Sequence, residues 1–204
     1  MVVIAIAVLV APLSSTRELL RIPLALAVAV GIAWAGYIIV GSGGCLRFYV
    51  ALSVAACTVW VVSAATGAPR WAEVAVYVLV ALMVMTTLYI VLRHSLFGRR
   101  AHAIDRVTGA ACGYFLIGLL WVQFYLIVLA FTPDALLDGT TDAIPDRAAI
   151  VYFSLVPLTT QGYGDIAPVD PFARLIAATE GAVGTLYLAV VIAGLVGRLQ
   201  GQAR

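Results

Sequence analysis

Lysine is absent from this chain, and charge of either sign is scarce: 12 arginines and 10 acids make up only 11 % of the 204 residues. A soluble domain carries roughly a quarter of its residues as charges, so a solvated globular fold is excluded. Cysteine is nearly missing as well. Cys45, Cys57 and Cys112 are an odd set without CxxC spacing, which argues against a disulfide framework and against a metal site. Cys57 and Cys112 fall within apolar stretches, where a small hydrophobic role suffices. No charged n-region precedes the apolar start at Met1, so no cleaved signal peptide is expected. No catalytic constellation occurs; the expectation is a non-enzyme without cofactor and without a nucleic-acid partner.

What remains is apolar. Hydrophobic residues are 64 % of the chain and the mean hydropathy is +1.09, the composition of an integral membrane protein. A helix needs about 20 such residues to span a bilayer. Six stretches qualify or nearly do: Met1–Leu13 (short), Ile22–Val40, Leu46–Ala65, Ala72–Leu92, Ala110–Phe131 and Phe172–Val196. Within lipid each must satisfy its own backbone, so all are read as helices. The expected fold is all-α, with about six membrane helices. A shorter segment, Arg147–Leu158, is long enough for a re-entrant helix between the last two.

The arginines orient the chain. Arg93, Arg99, Arg100 and Arg106 lie in one connection, and Arg198 and Arg204 in the C-terminal tail. Both belong in the cytoplasm by the positive-inside rule, and two spans between them agree. Asp134, Asp138, Asp142, Asp146, Asp165 and Asp170 then fall outside; the first four recur every fourth residue in a loop that reads as solvated and that would form an acidic collar if copies of the chain surrounded a common axis. The localisation expected is a cell membrane, multi-pass, with a cytoplasmic C-terminus. The basic connection, with His94 and His102, reads as a topology signal and a contact for anionic lipid. Ala72–Leu92 carries no arginine, so the ladder of cations that a voltage-sensing helix needs is missing.

One stretch is not generic. Thr159-Thr160-Gln161-Gly162-Tyr163-Gly164-Asp165 follows the short helix and precedes the last span. Gly-X-Gly alone marks an ordinary turn; here its length and its position between two spans argue for more. The glycines admit backbone angles that a side chain forbids. This motif, in the order outer helix, short helix, loop, inner helix, resembles the pore module of prokaryotic potassium channels from Ala110 to the C-terminus. The division implied is a four-segment region over 1–108 and a pore domain over 109–204. The leading segments resemble those of small prokaryotic ion-channel proteins.

The resemblance implies a potassium-selective channel conducting passively and in single file, a homotetramer around a central pore in contact with membrane lipids. Its filter comprises Thr160, Gln161, Gly162, Tyr163 and Gly164. Potassium is held by the backbone carbonyls of Thr160, Gln161, Gly162 and Tyr163 and by the Thr160 hydroxyl. Thr159 and Asp165 support the filter below and above, and Pro168 matches a proline that often follows it. Gly184 falls on the inner-helix hinge glycine, with Thr185, Leu188 and Ile192 on the cavity side. Gln161 stands where valine is usual, and Pro157 lies unusually in the last turn of the pore helix. A weakly selective cation channel, or a non-conducting membrane sensor or scaffold, are the alternatives.

Several residues have two readings. Gly184 is a hinge or, with Ala177 and Gly181, part of a small-residue packing strip. Glu180, the one acid well inside a span, must be protonated or paired. A hydrogen bond behind the filter, with the Gln161 amide as partner, is expected; a water crevice or a subunit contact is the alternative. Gln123 and Tyr125 are expected to make bonds between helices, and Trp71 to anchor at the membrane interface.

Overall fold

The computed structural model describes residues 55, 58, 70–97, 103–139 and 144–202. The segments expected at Met1–Leu13 and Ile22–Val40 and nearly all of Leu46–Ala65 lie outside these residues. So do Cys45, Cys57, Arg99, Arg100, His102, Asp142 and the His94 side chain. Four α-helices follow in order: α1 (Arg70–Phe97), α2 (Ala103–Phe131), the short α3 (Arg147–Leu158) and α4 (Pro171–Gln202). Within the described residues α1, α2 and α4 are long and apolar enough to cross a membrane, and α3 is not. These are three of the six expected spans, each longer than its apolar stretch. The short helix has the bounds read from the sequence.

Helix starts follow local chemistry. Asp146 caps α3, its carboxylate accepting from the Ala149 amide at 2.8 Å. Asp170 does the same for α4, accepting from Phe172 and Ala173, with Pro171 at the first helical position where its missing N–H costs nothing. Two of the six outer aspartates are therefore helix caps first.

Helix α2 is sandwiched. Leu116 and Leu120 pack on Ala81 and Val84 of α1. Val122 and Tyr125 join Ile150 and Phe153 of α3 and Ala173 of α4 in a second core. Helix α4 buries Ala173, Glu180, Gly184 and Val191. These positions are spaced by seven, four and seven, the stripe that one helical face presents to its neighbours. Trp71 stands exposed at the start of α1, as an interfacial anchor requires.

An all-helical fold omits one feature. Strand β1 (Leu136–Asp138) pairs antiparallel with β2 (Ile166–Pro168), Leu137 opposite Ala167. The Gly139 amide extends the pairing to the Asp165 carbonyl at 2.7 Å, and the Val169 amide to Ala135 at 2.9 Å. Strands of three residues leave no periodicity to read. The pair ties the loop after α2 to the chain leaving the motif. Arg174 adds a bond from α4 to the Pro168 carbonyl, 3.0 Å.

Candidate functional site

The motif starts as the end of a helix. The Thr160 amide donates to Pro157 and the Gln161 amide to Val156, both at 3.0 Å. These two bonds, with Thr160 at φ 58°, are the closing motif that usually places glycine at this position. A β-branched residue there is costly, and such strain persists where the surroundings over-determine it. Pro157, flagged in the sequence as unusual, has no amide to donate, but its carbonyl serves this closure. The Thr159 hydroxyl folds back on the Leu155 carbonyl, 2.6 Å.

Positive φ then recurs at alternate residues: Thr160 (58°), Gly162 (62°) and Gly164 (79°), whereas neither Gln161 nor Tyr163 has it. Ordinary extended chain points successive carbonyls to opposite sides; alternating the sign of φ is the backbone device that breaks that pattern. The stretch 159–164 is exposed.

Aromatic packing braces the motif's upper half. The Tyr163 ring stacks on Tyr152 of α3 at 6.4 Å with 8° between planes. The Tyr152 hydroxyl donates to Asp165 at 2.7 Å, while the other carboxylate oxygen accepts from the Ile166 amide. The hydrogen bond to Asp165 is the main reason the Tyr152 phenol is pushed up from 10.0 to about 12. A raised value means that the folded protein favours the neutral phenol. Its contribution is complete below about pH 10 and is lost as pH rises through about 12. Spectrophotometric titration should therefore show a late phenolate that Tyr152→Phe removes and Asp165→Asn shifts earlier. Identical curves for all three proteins would refute the bond.

On the side of α3 that precedes the motif, polar contacts from α2 and α4 seat the short helix. The Tyr114 hydroxyl of α2 donates to the Leu158 carbonyl at 2.8 Å. The backbone of α4 comes so close at Gly181 and Gly184 that a Cβ would press on the Pro157 and Leu158 carbonyls. Gly184 is thus a packing glycine in this structure. Glu180 is fully buried: Tyr125 of α2 donates to its Oε2 at 2.7 Å, and Ser154 of α3 lies 2.6 Å from its Oε1. Trp121 donates to the Ile176 carbonyl and Tyr187 to the Ala110 carbonyl, locking α2 to α4.

Two sequence expectations are corrected here. Gln161 does not pair with Glu180: its side chain is exposed, and the carboxyl group has Ser154 and Tyr125 instead. Counting residues gave the height of each group but not the direction in which each faces. Gln123 reaches the Leu119 carbonyl of its own helix rather than another helix, whereas Tyr125 makes the bond expected of it. The sequence alone does not point to Ser154, Tyr152 or Tyr114, although a signal exists for the first two, as the hydroxyl-bearing residues of an α3 that is apolar after Arg147. Thr185, Leu188 and Ile192 share an exposed face of α4, with Thr185 bonded back to Gly181. Among the described residues no cluster of three metal-ligating side chains occurs.

The family model described as "Ion channel" matches residues 114–200, from the middle of α2 through α3 and the motif to the end of α4. That is less than half of the chain, and it contains the whole site. The match supports ion-channel function for this stretch, in a protein whose apolar helices are of membrane-spanning length. Neither the curated proteins nor the solved structures give a match.

Proposed function

We propose that the chain is one subunit of a potassium-selective channel, four copies of which surround a central pore. The observation that carries this reading is the alternating positive φ at Thr160, Gly162 and Gly164 in an exposed segment between α3 and α4. One strand provides oxygens on one side only. A dehydrated cation needs them all round, and four strands supply rings from Thr160, Gln161, Gly162 and Tyr163, with the Thr160 hydroxyl at the inner end. Asp165 lies at the outer mouth, tied to Tyr152. Helix α3 directs its partly negative C-terminal end toward the cavity below, where Thr185, Leu188 and Ile192 form the wall. Transport is passive, with no cofactor and no chemical step. The arginines place the C-terminus in the cytoplasm of a cell membrane, and the pore domain starts near residue 109.

A weakly selective cation channel is the second reading, favoured by the exposed Gln161 where the resemblance has valine. Purified protein in liposomes, in opposed potassium and sodium gradients, separates the two. The expected result is a reversal potential near that of potassium, from particles whose detergent-corrected mass equals four chains. A conducting monomer or dimer sinks the architecture. A reversal potential near zero selects the second reading, and absence of any flux favours a non-conducting sensor or scaffold.

A further inference from the structure

Ser154 and Glu180 are both fully buried, and their contacts can be counted proton by proton. Ser154 Oγ lies 2.6 Å from Glu180 Oε1 and 2.9 Å from the Gly118 carbonyl oxygen of α2. Glu180 Oε2 accepts from the Tyr125 hydroxyl at 2.7 Å. A serine hydroxyl has one proton to give. Were Glu180 a carboxylate, which only accepts, Ser154 would have to donate to it. The Gly118 contact would then be two oxygens facing each other with no proton between them. With a proton on Oε1 every contact is served: Oε1–H donates to Ser154, Ser154 donates to Gly118, and Tyr125 donates to Oε2.

Charge leads to the same assignment. The groups that face Glu180 are hydroxyls: Ser154 from α3, Tyr125 from α2 and, farther along α2, Tyr114. No cationic side chain is among its partners in the described residues. An unpaired buried carboxylate is far more costly than a buried acid with its hydrogen bonds made.

We propose that Glu180 is held as a neutral carboxylic acid, and that the directed chain Glu180–Ser154–Gly118, with Tyr125 as second donor, makes it the positioning residue that seats α3 between α2 and α4. Ser154 is four residues before Leu158, where α3 ends and the Thr160 turn begins, so the seat sets the height of the motif. The consequence for conduction rests on the channel reading; the protonation state does not.

Infrared difference spectroscopy on the purified full chain in liposomes at neutral pH tests the proton directly. Wild type minus Glu180→Gln should contain a carboxylic-acid C=O band, and Tyr125→Phe should move that band to higher wavenumber by removing the donor at Oε2. A carboxylate band in its place, or a C=O band unmoved by Tyr125→Phe, overturns the proposal. For positioning, Glu180→Gln offers an NH₂ donor for Ser154 and a carbonyl acceptor for Tyr125. It should retain potassium-over-sodium selectivity within about twofold, while Glu180→Ala loses tenfold or more. A glutamine variant as impaired as the alanine variant overturns the positioning role. Absence of flux from the wild type would defeat the channel reading alone, and the infrared band would still decide the protonation state.

Discussion

Gly162→Ala is expected to abolish potassium-selective flux while leaving folding and assembly intact. Gly162 sits at φ +62°, and a Cβ built on it meets nothing within 4 Å in the chain. Steric contact with neighbours is therefore not the cost. The cost is the backbone itself, about 1–2 kcal/mol for a side chain held in the left-handed region. In the proposed tetramer four such residues would bring the total to about 4–8 kcal/mol on the same scale. That is enough to flip the residue to negative φ and turn its carbonyl off the ion path. The measurement is potassium flux and sodium selectivity in liposomes beside thermal unfolding in detergent. A loss of selectivity of tenfold or more with an unfolding temperature near wild type is the expected pair of results. Retained selectivity would remove Gly162 from the ion path and, with it, the assignment of the filter.

Much of this site is legible in the sequence because glycine, proline and charge act locally. Two glycines at alternate positions foreshadow the alternating backbone, and Asp146 and the Asp170–Pro171 pair are readable helix starts. Burial of Glu180 follows from one acid in an apolar span. Its partners were not legible, because they depend on how three helices are rotated against one another. The positive φ of Thr160 was hidden for a related reason. A threonine gives no hint of it until the helix end that imposes it is seen. The pairing of β1 with β2 joins segments about thirty residues apart by backbone alone, which side-chain patterns do not encode.

Gly184→Ala and Gly194→Ala should have opposite effects although both replace a glycine in α4. In a free helix alanine is the better former by about 1 kcal/mol. At Gly194 a new Cβ meets nothing within 4 Å in the chain, so that gain should be realised. At Gly184 the Cβ presses on the Leu158 carbonyl oxygen, closer than real Cβ contacts allow, and on Leu158 Cδ1 at 3.1 Å. Leu158 cannot give way easily. Its side chain is buried, and its carbonyl is held by the Tyr114 hydroxyl at 2.8 Å. Overpacking a fixed site costs roughly 1–3 kcal/mol, which outweighs the propensity gain. Gly184→Ala should therefore lower the unfolding temperature and displace the end of α3, with loss of selectivity. Gly194→Ala should leave the temperature equal or higher. The two readings of Gly184 separate in this comparison. A hinge glycine that is only a bending point would gain stability on becoming alanine, just as Gly194 does, and would lose opening rather than selectivity. A packing glycine loses stability first. Equal stabilisation by both substitutions would return Gly184 to the role of hinge.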